Sequence, residues 1–307
     1  MIPRVAIIIC SHNGQQYIKE QIVSCLKQKG VMVRLFIFDW NSSDATRDIV
    51  LEVANLDGRI SIVKKETAPG PAISFLSAVQ EVSTYDDEYE YLALCDQDDV
   101  WRDDKLQQQI NAMHLNNDRV LVCSDVELVD EAARLIAGQD GHYGSGSYYS
   151  PPFYTKISDP SIILCNPCIG MTMLIPKKLV SEIVRIQLSQ KIIMHDWMIA
   201  ILATLLNFDV YLIREPLVSY RQHSNNIIGA KRKRFAAALL NVCDHYDKLF
   251  EQIKYLQLNM PKSRCLYPGA FSIPRLLFYS TYLSRKGKFV NAAGLLFYVC
   301  MNKLRRT

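Results

Sequence analysis

Tyr91-Leu92-Ala93-Leu94-Cys95-Asp96-Gln97-Asp98-Asp99-Val100-Trp101 runs from five apolar residues into three carboxylates within four positions. A short apolar run with Tyr and Leu reads as a buried strand of a parallel sheet. In open α/β sheets ligands sit just beyond the carboxyl ends of the strands, so these acids emerge where a ligand binds. Asp96 and Asp98, two apart, can offer oxygens to one target if the backbone bends. Hard oxygen donors suit Mg²⁺ or Mn²⁺ held together with substrate phosphates. A helix N-terminus is the competing reading, because Asp103 and Asp104 follow and acids favour first turns. It accounts for Asp103 and Asp104 better than for Asp96 and Asp98.

Upstream, strands alternate with helices. Residues 5–10 read as a buried strand, Ser11-His12-Asn13-Gly14 as a turn, and Ile18, Ile22, Cys25 and Leu26 recur at helical spacing. A second strand is predicted over 33–38, closed by Asp39-Trp40-Asn41-Ser42-Ser43-Asp44 before a helix over 46–54. Residues 59–64 and 73–82 repeat the pattern on either side of Pro69-Gly70-Pro71. This alternation predicts an α/β fold whose parallel sheet is covered by helices on both faces.

Downstream, a helix is expected over 105–115 and strands over 120–129, 170–175 and 210–213. Residues 138–160 turn to Gly, Ser, Tyr and Pro and read as a mobile surface loop. Its tyrosines at 143, 148, 149 and 154 suit stacking on sugar faces, although loop tyrosines are also common without a ligand. His195-Asp196 precedes an apolar helix over 197–206, so Asp196 reads either as a site residue or as a helix cap. Arg221 and His223, two apart on an extended segment, can both face a pyrophosphate, or belong to a solvated basic loop.

The chain has 307 residues, 49% hydrophobic and 21% charged, which is ordinary for a folded protein. Its net charge of +4 is unevenly spread. From Lys231 onward, 15 Lys and Arg face only Asp244, Asp247 and Glu251, a net +12 that leaves the rest at −8. An acidic body with a basic end predicts an anionic partner. The aromatics of this end lie among long apolar residues without a nucleic-acid motif, so an anionic membrane surface is expected and nucleic acid is not. The alternative is that these helices pack on the body of the protein or on a second copy, as a homodimer. No apolar run approaches the roughly 18 residues of a spanning helix. The run over 5–10 is too short for a signal peptide. Nine scattered cysteines, with only Cys165 and Cys168 at a C-x-x-C spacing, predict reduced thiols and a cytoplasmic protein.

Several stretches, in order over about residues 4–229, resemble the nucleotide-sugar glycosyltransferases of family 2. Residues 5–14 resemble the family's opening strand and turn, and residues 39–46 its Asp-Asp-Gly-Ser-Thr-Asp-x-Thr nucleotide loop. Gly70-Pro71-Ala72 with Phe75 resembles the next donor-side segment. Residues 95–101 resemble the DxD motif as it stands in bacterial enzymes often described as rhamnosyltransferases. His195-Asp196-Trp197 resembles the catalytic-base motif, and Tyr220-Arg221-Gln222-His223 with Asn225, Asn226 and Gly229 the terminal donor loop.

The resemblance implies a Rossmann-like GT-A fold with a mostly parallel sheet over 1–229, followed by a basic amphipathic helical extension over 230–307. It implies donor binding by Ser11, Asn13, Asp39, Gly70, Asp96, Arg221 and His223. It also implies a Mn²⁺ or Mg²⁺ cofactor on Asp98 and His223, and Asp196 as the base. The activity implied is inverting transfer of one sugar from a nucleotide diphosphate to a saccharide acceptor, lipid-linked and destined for a surface polysaccharide. The Gln-x-x-Arg-Trp signature of processive synthases is absent after Asp196. Trp40 departs from the pattern, standing where the second Asp of the nucleotide loop is usual, and it alone favours the alternative of an inactive sugar-nucleotide or glycan binding protein. A nucleotidyltransferase is disfavoured because His12-Asn13-Gly14-Gln15 carries no Lys or Arg.

Overall fold

The structure, a computed structural model, describes residues 1–85, 88–116, 119–136, 162, 166, 168–223, 242–259 and 295–296. The tyrosine-rich stretch, the Asn225 to Gly229 part of the terminal loop and most of the basic end lie outside the described residues. The first half alternates as the sequence predicts: β1 (Arg4–Ser11), α1 (Ile18–Leu26), β2 (Met32–Trp40), α2 (Thr46–Leu56), β3 (Ile60–Lys65), α3 (Pro71–Tyr85) and β4 (Tyr91–Cys95). A two-residue β5 (Val100–Trp101), α4 (Lys105–Leu115) and β6 (Val120–Val129) follow. The remainder comprises β7 (Leu174–Pro176), α5 (Lys177–Ile183), α6 (His195–Leu205), β8 (Asp209–Arg221) and α7 (Val242–Asn259). Among the described residues eight strands form one sheet in the order β3-β2-β1-β4-β7-β6-β8-β5. Pairing is parallel from β3 through β4 and between β6 and β8, and antiparallel where β7 and β5 join.

Strand side chains alternate between faces, and here both faces are core. Val5, Ile7 and Ile9 of β1, with Leu35 and Ile37 of β2 and Ala93 of β4, pack under α1, α2 and α4. Ala6 and Ile8, with Phe36, Phe38, Leu92 and Leu94, pack under α3, α5, α6 and α7. That is why β1 and β4 read as unbroken apolar runs, and β2 as one broken only by the exposed Arg34.

Two strand expectations change. Residues 170–175 are not one strand: Gly170–Thr172 is a 3₁₀ turn, closed by Met173 N–H donating to Gly170 O at 3.0 Å, and β7 begins only at Leu174. Conversely, the strand expected over 210–213 continues to Arg221. Pro216, which cannot donate to the ladder, is absorbed at a register irregularity opposite Asp125. α3 starts at Pro71, where a missing N–H costs nothing.

The core does not stop at residue 229. Tyr246, Leu249, Ile253 and Leu256 form a buried stripe on α7 that belongs to the same core as β1 and α6. The outer face of α7 carries Lys248 and Lys254 against Asp244, Asp247 and Glu251, so this helix is not basic. All three acids of the C-terminal end sit on it. Of the two roles expected for that end, packing on the body holds for α7. Accordingly, Leu249→Ala should destabilise the protein by about 2–5 kcal/mol in urea unfolding. Lys248→Gln on the exposed side should change stability by less than about 0.5 kcal/mol.

Candidate active site

Three loops at the carboxyl ends of β1, β2 and β4 are hydrogen-bonded into one floor. Asn13, at φ +52°, donates its N–H to Ser42 Oγ at 2.9 Å and accepts from Ser43 N–H at 2.8 Å. Gln97 joins the third loop by accepting from His12 N–H at 2.9 Å and donating to His12 O at 3.1 Å. A Cβ on Gly14 would meet the Gln97 amide, the movable end of a flexible side chain, so the Gln97 bonds to His12 use the space the glycine leaves. Asp39 is buried at the end of β2, and its Oδ1 accepts from Ser11 Oγ at 3.4 Å and Ser42 Oγ at 2.5 Å. Gly70 at φ +97° faces open space just before α3, a backbone conformation that side chains resist.

Beyond β4 the three acids have different surroundings. Burial, with Asp98 and then Asp196 nearby, pushes the Asp96 carboxyl up to about 7. Asp98 is partly exposed, and its Oδ2 lies 2.9 Å from His223 Nε2. Asp99 is fully buried; burial first, then Asp98 and Asp96, raise its carboxyl well above the usual range. Its Oδ1 accepts from the Arg221 N–H at 3.1 Å. The two residues expected to ligate a metal, Asp98 and His223, are therefore side by side. Among the described residues no group of three or more His, Cys, Asp or Glu side chains forms a metal site, so this pair would hold Mn²⁺ or Mg²⁺ only with phosphate oxygens and water completing the shell.

Asp196 lies in the first turn of α6, which begins at His195. Burial lifts its carboxyl to about 6, against hydrogen bonds from the Trp197 and Gly170 backbones and the Asn166 side chain. The Trp197 N–H donates to Oδ1 at 2.6 Å. His195 is stacked on Phe75 at 4.3 Å, and burial pulls it down to about 3, which keeps the ring neutral. Its Nε2 would lie 2.4 Å from a Cβ on Gly170, so the ring seats the turn whose backbone holds Asp196.

Arg221 faces inward. Its guanidinium side chain is 1% exposed and donates to Asp98 O at 2.8 Å, Glu131 O at 2.8 Å and Glu20 Oε2 at 2.6 Å. Tyr17 lies under it at 4.6 Å and also meets the His223 ring at 5.2 Å. In this geometry Arg221 braces the acidic loop from below, whereas the sequence places it on the diphosphate. Burial of Trp40, at 6% exposure in the core under α3, likewise makes it a packing residue.

A mostly parallel sheet whose strand ends carry an acidic cleft of this kind is the GT-A architecture of nucleotide-sugar glycosyltransferases. TarS of S. aureus in complex with UDP-GlcNAc superimposes with a TM-score of 0.57 at 14% identity, over 99% of this chain and 91% of that one. The mannosyltransferase PcManGT of Pyrobaculum calidifontis, in complex with GDP-Man and Mn²⁺, gives 0.51 at 14% identity, over 100% and 89%. Residues 6–183 match the domain of Glycosyl transferase family 2, and the chain belongs to that family. The dTDP-rhamnosyl transferase RfbG of Shigella flexneri is 26% identical over 229 residues, 72% of this chain and 74% of that protein. The UDP-Glc:alpha-D-GlcNAc-diphosphoundecaprenol beta-1,3-glucosyltransferase WfgD of Escherichia coli is 37% identical over 113 residues, 37% of this chain and 42% of that protein. The match to WfgD thus spans less than half of either chain.

Gln97, Ser42, Asn166, Gly170 and Glu20 were not singled out by the sequence reading. Gln97 and Ser42 stand inside quoted motifs, but nothing in one sequence says which loops they join. The two neighbouring carboxyls should separate by experiment. Asp98→Asn is expected to weaken Mn²⁺ binding, in calorimetry with a nucleoside diphosphate present, by more than about tenfold. Asp99→Asn, which can still accept from Arg221 N–H, should leave it within about twofold.

Proposed function

We propose that this protein is an inverting, metal-dependent glycosyltransferase that moves one sugar from a nucleoside diphosphate donor to a saccharide hydroxyl. The observation that carries the reading is the convergence of the Asp98–His223 pair and Asp196, with Asp96 within electrostatic reach of both carboxylates. Asp98 and His223 would hold the divalent cation, which when bound neutralises charge on the departing diphosphate. Ser11, Asn13, Asp39, Gly70 and Asp96 form the donor side, and Arg221 serves it by fixing the backbone of Asp98. Asp196 takes the proton of the acceptor hydroxyl as that oxygen bonds to the anomeric carbon and the bond to the diphosphate oxygen breaks. A single base and a single displacement invert the anomeric configuration, the logic that separates inverting from retaining hydrolases.

The name of RfbG supports a dTDP-deoxyhexose donor and that of WfgD a diphospholipid-linked acceptor. We take the donor to be a nucleotide-linked rhamnose, and the product a precursor of a bacterial surface polysaccharide. No described helix is long and apolar enough to cross a membrane. Outside α7 the C-terminal end holds 13 Lys and Arg and no acid. Each basic residue near an anionic surface contributes on the order of 1 kcal/mol at best, so a fraction of them suffices for peripheral attachment at the cytoplasmic face.

Asp196→Asn should reduce transfer by about 10²-fold or more with donor affinity unchanged. The base works ionised, so the wild-type rate should fall as pH falls through about 6 and level off above it. A flat acid limb in a stopped-flow or coupled assay would remove Asp196 from this role. For the membrane, the full chain should float with anionic vesicles and be released by salt. Equal flotation with neutral vesicles would refute attachment by charge.

A further inference from the structure

The connection from α5 to α6, residues 184–194, delivers Asp196 to the cleft and has no regular structure of its own. Part of its backbone closes on itself or on the end of α5, as where Ile192 N–H donates to Ser189 O at 3.0 Å, and part is met from outside. At its start Gln80 of α3 donates to Val184 O at 3.2 Å and Ile186 O at 2.8 Å. Three further contacts come from α7. Tyr255 Oη donates to Gln187 O at 2.6 Å, Glu251 pairs with Lys191 at 3.3 Å, and Gln252 Oε1 accepts from Ile193 N–H at 2.6 Å. About two turns earlier on α7, the His245 ring stacks on Trp197 at 5.6 Å and 26°.

These contacts differ in strength. The Lys191–Glu251 pair is half exposed on both sides and contributes little. Gln252 is fully buried and Ile193 half-buried, so removing the amide takes from the Ile193 N–H a partner that water replaces only in part. Ile193 is three residues before Asp196, and the peptide between them leads directly into the first turn of α6. A shift there moves the carboxylate itself. The donor-side loops make none of these contacts.

We propose that α7, which lies beyond the 6–183 family domain, is the positioning element for the catalytic base, and that Gln252 is its principal positioning residue. The role rests on the reading of Asp196 as base given above. It assigns to the C-terminal helix a function in the acceptor step that is separate from donor binding. The stripe of Tyr246, Leu249, Ile253 and Leu256 fixes α7 on the core, and Gln252 and Tyr255 transfer that rigidity to the connection.

The test uses the full chain carrying Gln252→Leu, Tyr255→Phe or Gln252→Glu, the last keeping an acceptor oxygen for Ile193. For Gln252→Leu, kcat for transfer should fall about ten- to a hundredfold while the donor Kd and the donor KM stay within about twofold. Its acid limb should move away from about 6, because the surroundings of Asp196 change. Tyr255→Phe should show the same split at smaller size, and Gln252→Glu should recover part of the loss. If Gln252→Leu does not fold, Tyr255→Phe decides alone through the same kcat and pH readouts. A lower melting temperature with normal kcat and pH profile, or a parallel loss of donor affinity, would overturn the proposal. Asp196→Asn is run alongside: if it keeps full activity the base reading itself fails, whereas an inactive Asp196→Asn beside a normal Gln252→Leu refutes only the role of α7.

Discussion

Setting Asp96 between Asp98 and Asp196, with Asp99 buried behind them, places like charges where water solvates them poorly. Either the carboxyls take up protons or positive groups must approach. The chain uses both devices. Asp96, Asp99 and Asp196 are lifted above the ordinary carboxylate range, while Asp98 stands beside His223 and its backbone carbonyl receives the Arg221 guanidinium. The loops that carry these groups are tied to one another by the Gln97, Ser42 and Asn13 hydrogen bonds, so the fold itself holds the strand ends together.

The fold was legible because burial on both faces leaves a plain trace. β1 and β4 are apolar runs and β2 is broken only by the exposed Arg34, each closing in a polar turn, and a polar residue at a strand end needs no partner in sequence to be recognised. Asp39, Asp96 and Asp98 follow from that rule, whereas Asp196 stands at a helix start and is marked by the family resemblance. What the rule cannot see is direction over long separations. Arg221 has the composition of a phosphate ligand, but its orientation is set by Glu20, some two hundred residues earlier, and by the continuation of β8 past Pro216. The turn at Gly170 was read as strand because Met171, Met173 and Leu174 are apolar; the deciding feature is the neighbouring His195 ring, which belongs to a later helix.

Trp40 is the converse case. A departure from a family pattern invites a functional account, and on sequence alone it is the only hint of an inactive protein. In the fold it ends a β2 whose alternate residues, Phe36 and Phe38, already face the same core. Its carbonyl still accepts from the ring of His12 at 2.7 Å, so the backbone of the nucleotide loop is tied to β1 whatever the side chain. The position keeps its structural duty.

Charge counting over the C-terminal end also merges two different things. Its three acids and two of its lysines lie on α7, whose apolar stripe is spent on the core, and the remaining 13 basic residues lie before and after that helix. α7 also touches the connection that carries Asp196, through Gln252 and Tyr255. A sum of charges over the whole end therefore averages a helix bound to the core with flanks of a different composition, and it cannot register the contacts that tie this helix to the approach of Asp196.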